Sequence, residues 1–223
     1  MTPEGLDGAD DQETPEGLDG ADDQETPEGL DGPDGQEMPE GLDGAVSRDG
    51  GRGAIIEAFD EATEQVFERL RGNPVADRVF YTASELGNFS ILWHALAWIG
   101  ATSKRRRRNA LRVSAALAVE SALVNGPIKS AFNRSRPLVE HDHPHRLRQP
   151  LTSSFPSGHA SAAVVAAVLL GEPRRHRLPL LLAASVVALS RIHVRIHHAS
   201  DVAVGAVVGA LLARLFKRIW PLR

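Results

Sequence analysis

The chain contains no cysteine, which excludes disulfides, thiolate metal sites and a cysteine nucleophile. Aromatic residues make up only 5% of it and are not interleaved with basic ones. A stacking platform for single-stranded nucleic acid needs that interleaving, so nucleic acid is not an expected partner. No secretory leader is recognisable, because the first residues are acidic and lack both a basic start and an apolar core. Any membrane targeting would therefore fall to the apolar segments further along.

What is present is unevenly distributed. Residues 1–50 carry 17 acidic residues and one basic residue, Arg48, a net charge of −16, whereas the remaining chain carries 24 basic and 12 acidic residues, a net of +12. A basic body points to an anionic partner such as lipid or phosphate. The acidic part is a repeat of period 12: TPEGLDGADDQE at 2–13 recurs unchanged at 14–25, then as TPEGLDGPDGQE at 26–37 and in part at 38–45. Each unit offers one Leu among Gly, Pro, Asp and Glu, too little apolar surface to offset the entropy of ordering, so a disordered tail over 1–50 is expected, its partner unspecified. Residues 54–72 follow as an amphipathic helix, with Ile55, Ile56, Phe59, Ala62, Val66, Phe67 and Leu70 at near-helical spacing. It is too polar to span a bilayer and suits the membrane interface or the side of a bundle.

Five apolar runs come next, at 88–103, 111–128, 157–171, 178–192 and 202–216. Each is at the short end of the ~20 residues that cross a hydrocarbon core. Their number and the basic loops between them favour a membrane. The arginine-rich segments 104–108 and 173–177 and the Lys217–Arg218 end fall on one side by alternation, the cytoplasmic one by charge, and 129–156 and 193–200 on the other. Gly205 and Gly209 form a small-xxx-small pair that permits close helix approach. The expected fold class is all-α: a membrane-embedded helical bundle of about five to six helices over 85–220, behind the acidic tail.

Three clusters lie at the run ends on the outer side. The first is Lys129-x6-Arg136-Pro137; on a helix, positions seven apart share a face, and two cations would converge on one anion. The second is Pro156-Ser157-Gly158-His159 before an apolar helix, where free backbone N–H groups and the helix dipole make an anion site and His159 can move a proton. The third is Ser190-Arg191-x5-His197-x3-Asp201. There an i,i+4 carboxylate fixes the imidazole tautomer and leaves the other nitrogen to attack, while Arg191 offers a bidentate donor for phosphate. Read singly, these are loop cations facing water, a Ser N-cap and a surface His–Asp contact.

Read in order, they resemble the signature of the type 2 phosphatidic acid phosphatase superfamily, which also holds the vanadium haloperoxidases; the resemblance covers roughly residues 85–220. It implies a phosphatase with His197 as nucleophile, Asp201 orienting it and His159 as the acid and then the base. Lys129, Arg136, Arg191, Ser157 and the Gly158 amide would hold the phosphate oxygens. No metal and no cofactor are implied, the cations supplying the charge a metal supplies elsewhere. The expected partners are a lipid phosphate substrate and the bilayer, and a homo-oligomer is compatible. The substrate class expected first is a polyprenyl phosphate or polyprenyl-linked sugar phosphate of envelope synthesis, with a phosphatidic-acid-type lipid second. Three Lys against 22 Arg, with abundant Ala and Val, suggest a GC-rich genome such as an actinobacterium's. That makes decaprenylphosphoryl-phosphoribose a specific candidate.

Several residues are left over. His141, His143 and His145 with Asp142 crowd a basic loop and are not read as a metal site. Glu120 lies inside an apolar run, where an acid tends to face the bundle interior. His193 and Arg195 are candidates for the site entrance, and His198, beside the nucleophile, for substrate preference. His94 between two Trp residues reads as interfacial. The rivals are a soluble acid phosphatase or vanadate-dependent haloperoxidase, and a non-catalytic membrane adaptor acting through its acidic tail.

Overall fold

The structure, a computed structural model, describes residues 49–137, 152–172 and 176–222, all within one compact unit. The acidic repeats and the His141–His145 cluster lie outside these residues. Seven α-helices and no strand are found among them: α1 Asp49–Glu68, α2 Pro74–Leu86, α3 Ile91–Ile99, α4 Lys104–Leu123, α5 Gly158–Leu170, α6 Arg177–His193 and α7 Ala199–Ile219. The all-α class is as expected. α7 alone is long and apolar enough to cross a membrane, with a mean hydropathy of 1.7, and α5 is a shorter apolar helix.

α5 is the axis of the bundle. Its sequence is apolar almost all round, and Ala160, Ala162, Ala163, Val165, Ala166, Ala167 and Leu169 are all buried, as a helix without a polar face must be. It packs against α4, α6 and α7. The α5–α7 contact is a backbone approach. A Cβ added to Gly205 would lie 2.4 Å from the Ser157 carbonyl oxygen, and one added to Gly209 2.3 Å from that of Ser161. The glycine pair therefore does what the spacing implies.

The N-terminal region departs from expectation in two ways. α2, absent from the sequence reading, starts at a strong cap: Asn73 Oδ1 accepts from the Val75 and Ala76 amides at 3.0 and 3.2 Å, with Pro74 at the first helical position. α1 turns its charged side toward the bundle. Asp60, Glu64 and Arg71 are half-buried or better and Phe67 is buried, whereas Ile55, Phe59 and Val66 on the opposite side are exposed.

The two ends of the bundle differ. At one end the starts of α4 and α6 meet the ends of α5 and α7, with the buried Arg112 guanidinium 2.9 Å from Glu172 and donating to the Trp220 carbonyl at 3.2 Å. The arginine-rich start of α4 belongs to this end. The opposite end gathers the close of α4, the starts of α5 and α7 and the close of α6, and it holds all three motifs.

Candidate active site

α4 does not run straight into its motif. A π-helical turn, Val124–Ile128, with Pro127 inside it, widens the helix before Lys129, a feature common at functional sites. Helix ends just beyond Lys129, and Arg136 follows in an extended segment. The two cations thus do not share a helix face two turns apart; a turn between them brings them to the same region. Lys129 is buried.

Lys129, Gly158, His159, Arg191 and His197 line one cavity of about 750 Å³, with Asn88, His94, Glu120, Ser121 and Asn125 among its other walls. Five of the eight expected site residues therefore face a common space. The other three support it from behind. Asp201 is buried beneath His197, with Oδ2 3.5 Å from the imidazole Nδ1, a contact longer than a good hydrogen bond. The same oxygen accepts from the His198 amide at 2.9 Å. Ser157 caps α5, its hydroxyl accepting from the Ala160 amide at 3.5 Å, and its own amide donates to the Asp201 carbonyl at 3.0 Å. Arg136 donates to the carbonyls of Ile196 at 2.8 Å and Thr152 at 3.0 Å, bracing the residue before His197. Neither Ser157 nor Arg136 lines the cavity.

The electrostatics suit a neutral nucleophile among cations. Burial pushes the His197 imidazole down to about 4, with the Arg191 and Arg136 charges adding to it and the Asp201 contact working against it. Burial also lowers the Lys129 ammonium to about 8, helped by Arg136 and Arg191. Arg191 donates from Nη1 to the Ser84 hydroxyl, while its buried Nε has no hydrogen-bond partner among the described residues. A cluster of like charges with unused donors has a strong demand for an anion.

Some residues read from sequence lie elsewhere. His193 and Arg195 do not form the entrance: His193 Nε2 meets Asp77 Oδ1 at 2.8 Å, and Arg195 pairs with Glu64 at 3.3 Å and with Glu68. His198 caps α7 in a reciprocal box with Asp201 rather than facing the cavity. His94 is in the cavity wall and contacts the Ser114 hydroxyl at 3.0 Å, which Trp98 also reaches at 3.2 Å. Glu120 is buried in that wall and makes no ion pair among the described residues.

Other contributors were missed in the sequence. Asn88 Oδ1 lies 3.2 Å from His159 Nε2, and Gly87 makes room for that ring, since a Cβ there would sit 2.7 Å from its Cδ2. Arg134 Nη1 donates to Asp201 Oδ1 at 2.6 Å and its Nη2 to Asp60 Oδ2 at 2.7 Å.

Residues 109–223 of the chain match the family described as "PAP2 superfamily". The chain belongs to the PAP2 superfamily and is a phosphatase. It is 37% identical over 135 residues, 59% of this chain and 73% of the relative, to the decaprenylphosphoryl-5-phosphoribose phosphatase of Mycobacterium tuberculosis. It is 39% identical over 142 residues, 61% of this chain and 74% of the relative, to the protein of the same name from Mycolicibacterium smegmatis. Among solved structures it resembles the transmembrane PAP2 type phosphatidylglycerolphosphate phosphatase of Bacillus subtilis, with a TM-score of 0.55, 22% identity and coverage of 78% of this chain and 88% of that one. It also resembles Aquifex aeolicus LpxE, with a TM-score of 0.56, 27% identity and coverage of 69% and 93%.

Proposed function

We propose that the chain is a multi-pass membrane phosphatase that hydrolyses a polyprenyl-linked phosphate through a phosphohistidine on His197, at the extracytoplasmic surface. The observation that carries the reading is the single cavity shared by Lys129, Gly158, His159, Arg191 and His197. Nδ1 of His197 points at Asp201, which leaves Nε2 to attack phosphorus. Lys129, Arg191 and the Gly158 amide hold the phosphoryl oxygens as charge spreads over them. The bond from phosphorus to the leaving oxygen breaks as Nε2 bonds to phosphorus, and His159 gives that oxygen its proton. Water then attacks the phosphohistidine, His159 takes the water proton, and the P–N bond breaks to release phosphate and neutral His197. Arg136 and Ser157 hold the backbone around these groups.

The membrane reading is supported by where apolar side chains lie. Val207, Leu211, Leu215 and Ile219 form an exposed stripe along α7, and Leu178, Leu182 and Leu189 do the same on α6. Such stripes are stable facing lipid. The exposed apolar side of α1 fits a helix lying at the interface.

Decaprenylphosphoryl-5-phosphoribose is the substrate favoured by the relatives' names; a glycerolipid phosphate is second, favoured by the phosphatidylglycerolphosphate phosphatase neighbour. The test is phosphate release by detergent-purified protein across polyprenyl, polyprenyl-sugar, glycerolipid and sphingoid phosphates, with vanadate as inhibitor. The expected result is the highest kcat/KM on the polyprenyl-sugar phosphate, abolished by vanadate. A preference for sphingoid or glycerolipid phosphate would overturn the substrate assignment.

A further inference from the structure

We infer that α1, which lies outside the 109–223 family match, supplies a positioning residue for the reaction: Asp60 acts through Arg134 on the catalytic carboxylate Asp201. The inference rests on reading His197 and Asp201 as the nucleophile pair.

Asp60 uses both its oxygens on the catalytic end of the bundle. Oδ1 accepts from the Ser200 amide at 2.7 Å, while Oδ2 accepts from the Ser200 hydroxyl at 2.8 Å and from Arg134 Nη2 at 2.7 Å. Arg134 Nη1 donates in turn to Ser200 Oγ at 2.7 Å and to Asp201 Oδ1 at 2.6 Å. The order of contacts is therefore Asp60, Arg134, Asp201, His197. The carboxylate of Asp60 is 10% exposed and that of Asp201 fully buried, so these charge-assisted bonds are little screened.

The chain of contacts answers a need in the site. Asp201 must present Oδ2 to the imidazole while its other oxygen, in a buried place, requires a donor. Without Arg134 that oxygen would lose its ion pair, and the carboxylate would be held through Oδ2 alone, by the His198 amide. Without Asp60, Arg134 would keep Asp201 as its one carboxylate partner among the described residues and lose the bond that fixes the other arm of its guanidinium. α1 thus neutralises the group that fixes the catalytic carboxylate.

The rest of α1 holds the same loop. Asp60, Glu64 and Glu68 fall at i, i+4 and i+8 on one face. Glu64 pairs with Arg71 at 2.6 Å and with Arg195 at 3.3 Å, and Glu68 with Arg71 at 2.6 Å and with Arg195. Arg71 donates to the carbonyls of Ile192 at 2.9 Å and His193 at 2.8 Å, the last residues of α6. Arg195 has a positive φ of 52°, an uncommon backbone state for a residue with a side chain, and both its carboxylate partners come from α1. The segment from Arg191 to Asp201 that carries His197 is thereby fastened at both ends to a helix more than a hundred residues earlier in the chain.

The experiment measures phosphate release, vanadate-titrated active sites and thermal midpoint for full-length protein carrying Asp60→Asn, Asp60→Glu, Arg134→Gln and the Asp60→Asn/Arg134→Gln pair, with His197→Ala as reference. Asp60→Asn keeps the size and an acceptor for the Ser200 amide but loses the ion pair. A displaced catalytic group costs on the order of tenfold to a hundredfold in rate. The expected result is a fall of that size in kcat per titrated site for Asp60→Asn, with KM within about twofold. The double variant should be no slower than Arg134→Gln alone, and Asp60→Glu should recover part of the rate. Normal kcat per site in Asp60→Asn, effects that multiply in the double variant, or a loss explained wholly by fewer intact sites would each overturn the inference. Activity surviving in His197→Ala would instead overturn the nucleophile assignment, a distinguishable outcome.

Discussion

His197 and Lys129 give the site opposite pH requirements, and both are set by burial. His197 attacks only when neutral, and its imidazole is held down at about 4, so protonation removes the nucleophile as pH falls through that value. Lys129 holds phosphate only as a cation, and in the free enzyme its ammonium is held at about 8, so binding weakens as pH rises through that value. A profile of kcat/KM reports free-enzyme ionisations; it is expected to show limbs near these two values. The upper limb should move to higher pH in kcat, because bound phosphate stabilises the lysine charge. Lys129→Met is expected to raise KM and remove the upper limb. His159 has a different signature: His159→Ala should fail on a lipid alkoxide leaving group, yet still react with an activated phenolic phosphate and accumulate phosphoenzyme, measured by a burst of phenol. That His197, His159 and Arg191 face one cavity was anticipated in the sequence, because the motifs that carry the family resemblance group them. Asn88, Arg134 and Asp60 were not, because each acts across 67 or more residues of chain through contacts that no local pattern records.

At the scale of the element, the α5–α7 contact decides whether the phosphate loop is held. Gly205 abuts the carbonyl of Ser157 itself, so a methyl there pushes on the residue preceding Gly158. Overpacking of this kind costs ~1–3 kcal/mol. Gly205→Ala is expected to lower the thermal midpoint in detergent and the activity together; Gly209→Ala, one turn further from the site, should lower the midpoint with less effect on kcat per intact site. The glycine pair was visible as a spacing, but its partner was not. The same limit applies to the Lys129–Arg136 segment. A seven-residue spacing suggested one helix face, and the Pro127-bearing π turn with the early helix end replaced that with a turn and an extended arm. α2 escaped notice because it is short, although Val75, Val79, Phe80 and Leu86 recur at near-helical spacing and Asn73-Pro74 with Asp77 in the first turn is a helix-start pattern.

Over the described residues, the bundle has the cationic candidate site at one end and an arginine-rich rim at the other, with apolar stripes between them. Membrane orientation follows if that rim lies in the cytoplasm. The absence of native cysteine makes this simple to measure: a single Ser135→Cys beside the site is expected to react with a membrane-impermeant thiol reagent in intact cells, and a single Arg107→Cys only after permeabilisation. The reverse pattern would invert the topology. The all-helical class was legible from the alternating apolar runs and basic loops, but the inward-facing charges of α1 were not, since acids on an amphipathic helix ordinarily face water.

All of these expectations depend on phosphoryl transfer to His197. Acid-labile, base-stable phosphohistidine can be sought by rapid alkaline quench of the purified enzyme during turnover of radiolabelled substrate, followed by peptide mapping. The account predicts a phosphoryl group on the peptide bearing His197, formed within one turnover and absent from His197→Ala, which should have no measurable phosphate release. A phosphoryl group on another residue, or turnover by His197→Ala, would contradict it.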